Sequence, residues 1–176
     1  MQDLYETDSE KPILVGGAAV ELYTGGAYST GDLDFVGTVP SHVAAALREA
    51  GFERRGRHWF HEAGEVFIEF PSSNLEPGEE SVILGVEGER VVIVDPEALI
   101  ADRLAAWQVW KSPEDGVSAW LVSRGQTLDT NRLRRLAEDR GVPEAARALE
   151  EAIGRWRDSD PEREELIVWA ESIPGE

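Results

Sequence analysis

"ILVGGAAVELYTGGAYSTGDLDFVG", residues 13–37, holds the fold-deciding pattern. Ile13-Leu14-Val15 reads as a short buried strand that stops at Gly16-Gly17. Glycines at such a point let the backbone come close to a ligand. "AAVELY" then reads as a short helix, whose first amides favour an anion. Gly25-Gly26 reads as its stop. In "GDLDFVG", Asp32 and Asp34 alternate with Leu33 and Phe35, the pattern of a strand. A strand puts both carboxylates on one face and both apolar side chains on the other. Two readings stand side by side. The pair holds a hard divalent cation together with phosphate oxygens, or it is two solvated acids beside a plain strand-to-helix turn. No Gly-Lys-Ser/Thr follows the glycines, and their spacing is not that of a dinucleotide fingerprint.

A third acid sits in "EVFIEFP". Glu69 alternates with Ile68 and Phe70, and an acid inside an apolar strand needs a reason. Around it, "RHWFHE" and "EVFIEF" flank Ala63-Gly64 as a hairpin, and "SVILGV" and "RVVIVD" flank "EGE" as another. "SHVAAALREAGF" reads as a helix with Ser41 as N-cap, Val43, Ala46, Leu47 and Ala50 as its stripe, and Gly51 as stop. Arg54, Arg55 and Arg57 form a basic cluster that contacts phosphate or an acceptor, or is a solvated turn. His58 and His61 fall on opposite faces of a strand and make a poor metal pair. Trp59 reads as core.

From Asp95 the pattern becomes helical. Asp95-Pro96 opens a helix in which Ile100, Leu104 and Trp107 recur at helical spacing. Ser112-Pro113 opens another, with Ser112 and Asp115 as a capping-box variant. Asp129 caps "TNRLRRLAEDRG", with Leu133 and Leu136 inward and Gly141 as stop. Pro143 opens "PEAARALEEAIGRWR", and Asp160-Pro161 opens the last helix. Trp107, Trp110, Trp120, Trp156 and Trp169 pack this half. Arg132, Arg134, Arg135 and Arg140 form helix-surface salt bridges or an acceptor-binding face. Asp102 and Arg103 read as a structural pair. Strands first and helices after give an α+β fold: a sheet core over residues 1–95 and a helical extension over 96–176, expected to pack on that core.

Composition limits the partners. The 176 residues carry a net charge of −18 and no cysteine, so disulfides and thiolate metal sites are excluded. Residues 1–95 hold 6 basic and 18 acidic side chains, and residues 96–176 hold 11 and 17. Such a field repels polyphosphate chains, so broad electrostatic binding to nucleic acid is disfavoured. No apolar run is long enough to span a membrane, and the acidic start does not resemble a signal peptide, so a cytoplasmic protein is expected.

A strand ending in Gly16-Gly17, a short helix, then Thr30-x-Asp32-x-Asp34, and a third acid on a later strand together resemble the nucleotidyltransferase (polymerase-beta-like) superfamily. The resemblance spans roughly residues 12–125, and it implies that the sheet core is mixed in strand direction, with flanking helices. It extends to small prokaryotic nucleotidyltransferase-like proteins related to toxin components of toxin–antitoxin systems. It implies that Asp32, Asp34 and Glu69 hold Mg²⁺ or Mn²⁺ and are the catalytic acids. It implies that Gly16 and Gly17 seat the triphosphate of an NTP, with Thr30, or Ser29, as the accompanying hydroxyl. Relatives carry a helix of the form "LIxxKLxAxxxR…D". Here Arg103 stands at the lysine position, and Lys111 and Asp115 fall near the later basic and acidic ones, so Arg103 and Lys111 join the expected nucleotide contacts. Arg and Lys are not interchangeable in such a role. The implied activity is transfer of a nucleoside monophosphate to a protein, RNA or small-molecule acceptor. The alternative is a non-catalytic nucleotide- or partner-binding module, one half of a pair with an antitoxin-like protein.

Overall fold

The computed structural model describes residues 1–172. The chain forms two compact units, Met1–Asp95 and one beginning at Pro96. Among the described residues the fold is α+β, with a seven-stranded mixed sheet and seven α-helices.

The first unit holds the whole sheet: β1 (Ile13–Val15), β2 (Asp32–Val36), β3 (Glu53–Arg55), β4 (His58–His61), β5 (Val66–Glu69), β6 (Ser81–Val86) and β7 (Glu89–Val94). Their order is β3-β4-β5-β2-β1-β7-β6. β1 runs antiparallel to β2 and parallel to β7, and β2 runs parallel to β5. Two helices join them, α1 (Gly16–Tyr23) and α2 (Ser41–Glu49). Registered neighbours share a face of a sheet. Leu14, Phe35, Ile68, Trp59 and Ile93 therefore line one face, and all five are buried. The opposite face carries Asp32 and Asp34 on β2 and Glu69 on β5.

Both expected hairpins form. β4–β5 is bridged by a short 3₁₀ turn, Glu62–Gly64. β6–β7 turns on Glu87-Gly88, both with positive φ, which suits a tight two-residue hairpin turn. A third hairpin, β3–β4, turns on Gly56-Arg57. Charged residues occupy all of β3, so no apolar pattern announces it.

β1 and β7 share one register pair, Leu14 with Ile93. The buried side-chain amide of Gln2 reinforces that seam. It donates to Pro12 O (2.7 Å) and Val92 O (2.8 Å) and accepts from Val92 N (2.9 Å). Asp8 adds a surface tie, taking Lys11 at 3.1 Å and Arg90 at 2.9 Å. The hydrogen bond from Lys11, helped by the Arg90 charge, holds the Asp8 carboxyl below its usual range.

The second unit contains α3 (Pro96–Trp110), α4 (Pro113–Gly125), α5 (Thr130–Asp139), α6 (Pro143–Arg155) and α7 (Arg163–Glu171). Leu99, Ile100, Leu104, Leu133, Leu136 and Leu149 are buried. Trp107 packs on Trp169 at 4.9 Å and donates to Ala170 O, while Trp156 meets Trp120 and Trp169 edge-on. Trp110 departs from the expected packing role: it stands 78% exposed at the end of α3.

Several expected caps are replaced. Ser41 is already helical, and Pro40 occupies the cap position. Ser112 makes no side-chain cap bond: Asp115 N donates to the Ser112 carbonyl at 3.1 Å, and the Asp115 carboxylate pairs with Arg103 at 3.0 Å. Arg103 is thus not the partner of Asp102, which instead takes Arg140 at 2.9 Å. The last helix opens on a Glu162/Glu165 capping box, not on Asp160-Pro161, because the reciprocal bonds satisfy its first amides two residues further on. Asp129 caps α5 as expected, accepting from Asn131 N and Arg132 N. Arg132, Arg134 and Arg140 form their ion pairs across helices, with Glu97, Glu150 and Asp102.

Glu97 is the buried member of that set. Its carboxylate accepts from Asp129 N at 2.7 Å and meets Arg132 at 3.3 Å. Glu97→Ala leaves that buried amide without its acceptor and removes the Glu97 ion pair of Arg132, and should cost about 1–3 kcal/mol. A lowered thermal midpoint by circular dichroism checks it, and an unchanged midpoint would remove Glu97 from the account of stability.

Candidate functional site

β1 ends at Val15, and the chain turns directly into α1 through Gly16, whose φ is +65°. This left-handed conformation favours glycine. A second constraint acts on the same atom. A Cβ at Gly16 would collide with the carboxylate of Asp34. The missing side chain therefore lets the turn lie directly against the acid. Gly17 faces Thr30 in the same way, with a Cβ position 3.1 Å from the Thr30 side chain. Thr30 is anchored on its other side by α1, since its N–H donates to Glu21 Oε2 at 3.1 Å. The Thr30 hydroxyl accepts from Asp32 N at 3.4 Å. Gly16, Gly17, Thr30, Asp32 and Asp34 thus form one neighbourhood. Ser29 is exposed beside it.

The sheet register extends that neighbourhood sideways. Asp34 lies opposite Glu69 on β5, Glu69 opposite His58 on β4, and His58 opposite Arg55 on β3. Four charged or titratable residues thus stand in one row on one face. Asp32 stands two residues before Asp34 on that face. Next to the row on the same face, Phe60 and Phe67 meet at a tilt with their centroids 4.5 Å apart.

Glu69 is not idle in the row. Arg57 Nε lies 2.7 Å from its Oε1, and His58 Nδ1 lies 3.5 Å from its Oε2. Its carboxylate is turned toward the β3–β4 hairpin. Among the described residues, no group of three or more His, Asp and Glu side chains is close enough to hold a metal ion. The donor set can still be judged. Asp32 and Asp34 supply hard oxygens on one face, as Mg²⁺ or Mn²⁺ requires. Glu69 joins them in register and would add its oxygens on leaving Arg57.

The basic cluster separates by role. Arg57 holds Glu69. Arg54 bonds Gly56 O and lies 5.7 Å over the ring of Trp59, while Arg55 pairs with Glu53 and covers Phe60. His61 accepts from Gly64 N and rests on Phe52, away from the acids.

Arg103 and Lys111 belong to the second unit. Arg103 is held by Asp115, and Lys111 is exposed with φ +53° at the end of α3. A cleft of about 740 Å³ opens where β1 begins and β2 ends, lined by Tyr5, Lys11, Ile13, Val36 and His42 among others. None of the candidate residues lines it.

Sequence reasoning missed Glu21 as the anchor of Thr30, and Arg57 and His58 as holders of Glu69. An acid in the apolar helix "AAVELY" was a usable signal for the first. The others needed the β3–β4 pairing. Compared with known proteins, the chain matches no family model and no curated protein significantly.

Proposed function

We propose that the chain is a Mg²⁺-dependent nucleotidyltransferase that moves a nucleoside monophosphate from an NTP to an acceptor hydroxyl. The observation that carries this reading is the approach of Gly16 to the Asp34 carboxylate. It sets a turn with a helix N-terminus beside two acids on one strand face, with Thr30 against Gly17. The turn amides would orient the β and γ phosphates, and Thr30 would add a hydroxyl. Asp32 and Asp34 would hold the divalent ion, which supplies charge neutralisation on the phosphates and reverses the local sign of an acidic surface. The acceptor hydroxyl oxygen would bond to the α-phosphorus, its proton passing to solvent, as the bond to the bridging oxygen breaks and pyrophosphate leaves. Arg57 would take up phosphate charge when Glu69 turns toward the acids.

The engagement of Glu69 by Arg57 and His58 favours a second reading, a nucleotide-binding module without turnover. One experiment separates the two. The chain is incubated with α-labelled ATP, GTP, CTP and UTP and Mg²⁺ or Mn²⁺, with itself, bulk RNA and total protein as acceptors. Transferred label, lost in Asp34→Asn by about a hundredfold or more, supports transfer. Metal-dependent nucleotide binding without label supports the module. Equal binding and labelling by Asp34→Asn would sink the role of the acid pair.

A further inference from the structure

The two edges of the sheet are built differently. The β3 edge is three residues long, all charged and exposed. This is a usual way to keep an edge from pairing. The β6 edge is six residues long, Ser-Val-Ile-Leu-Gly-Val, with no charge and no proline. Among the described residues its only strand neighbour is β7. Val82 and Ile83 are 39% and 48% exposed.

The ladder shows which groups point outward. Asp95 N donates to Glu80 O at 3.0 Å, which fixes the bonded phase of the pair. Bonded pairs recur at every second residue of an antiparallel ladder. Val82, Leu84 and Val86 therefore bond to β7, a phase that also ends correctly at the Glu87-Gly88 turn. Ser81, Ile83 and Gly85 direct their N–H and C=O groups away from the sheet. Their side chains are small or apolar, and Ile83 is the most exposed of the apolar residues on the strand.

Charge selects the occupant. Glu79 and Glu80 stand before the strand, and Glu87 and Glu89 after it. A second copy pairing antiparallel about Ile83 would bring the Glu79-Glu80 end of each chain to the Glu87 end of the other. Both chains would also carry a net charge of −18. That arrangement is repulsive at both ends. We infer that β6 is a docking edge for an extended strand of a different protein, apolar at its centre and basic at its ends, added by main-chain hydrogen bonds to Ser81, Ile83 and Gly85. This surface is independent of the acid row.

The probe is a fluorescent synthetic peptide of alternating valine and threonine with two lysines at each end. Controls carry glutamates at the ends, or N-methyl groups on alternate amides. Binding to the full chain is read by fluorescence anisotropy, and the site by amide shifts at Ser81, Ile83 and Gly85. The lysine peptide is expected to bind, the glutamate and N-methylated peptides to bind at least about tenfold more weakly, and Ile83→Lys to weaken the lysine peptide by a similar factor at an unchanged melting temperature. On binding, exchange protection should localise to the same three amides. Absence of binding, equal binding of the glutamate or N-methylated peptide, or shifts elsewhere would overturn the inference. So would a dimer in sedimentation that Ile83→Lys dissociates, which would give the edge to a second copy.

Discussion

Trp59→Ala should destabilise the first unit by about 3–5 kcal/mol, the usual loss for a buried tryptophan. Trp59 is 1% exposed and lies opposite Ile68, on the sheet face that Leu14, Phe35 and Ile93 also line. Its ring is capped by Arg48 of α2 at 5.5 Å and by Arg54 of β3 at 5.7 Å. Truncation therefore opens a cavity, strips two guanidinium groups of their ring, and loosens the hairpin that positions Arg57. Urea unfolding followed by circular dichroism measures the loss. Trp59→Phe, which keeps a ring but leaves part of the volume empty, should recover more than half of it. A midpoint for Trp59→Ala within error of the parent would show that the β4 core contributes nothing.

Gly16→Val should be the most harmful change in the glycine turn. A β-branched residue at φ +65° is a backbone outlier, and the left-handed conformation costs about 1–2 kcal/mol. The added carbon also meets the Asp34 carboxylate, and overpacking of this kind costs about another 1–3 kcal/mol. Gly25→Val makes a useful comparison. Gly25 also has positive φ, but nothing lies within 4 Å of its Cβ position. The difference between the two melting temperatures isolates the collision from the backbone strain. If the proposed function holds, Gly16→Val should also abolish the rise in melting temperature caused by MgATP, whereas Gly25→Val should keep it. Equal behaviour of the two variants would remove Gly16 from the site.

How much of this could be read in the sequence depended on how local the cause was. The strand faces of Asp32 and Asp34 follow from alternation alone, both longer hairpins from apolar runs around turn residues, and the helical second half from the helical spacing of its apolar residues. The Gly25-Gly26 stop and the Asp129 cap are likewise local chemistry. The fate of Glu69 was not local. Its side chain is turned by Arg57, and Arg57 is brought there by pairing of β3 with β4, a contact that no periodicity encodes in a strand made of Glu53, Arg54 and Arg55. The Asp115 half of the Ser112 capping box failed for the same reason. The local pattern offers the Asp115 carboxylate the Ser112 N–H, but the guanidinium of Arg103, twelve residues earlier, gave it a charge-assisted partner. Trp110 shows the limit of treating aromatic residues as core by type, since it extends the stripe of α3 by one turn beyond where anything packs on it.

The Gln2 amide has a consequence for the order of folding. The β6–β7 hairpin closes through contacts close in sequence, and it can form early. Its capture by the other five strands draws on one register pair at β1, on the Tyr23 hydroxyl bonded to Val94 O, on the Asp8–Arg90 pair and on a side chain that reaches Val92 across 90 residues. Joining such distant segments requires closing a long loop, the slow kind of step in sheet formation. The hairpin is then a separate piece until the N-terminal segment arrives, and Gln2 acts as the rivet that fastens it.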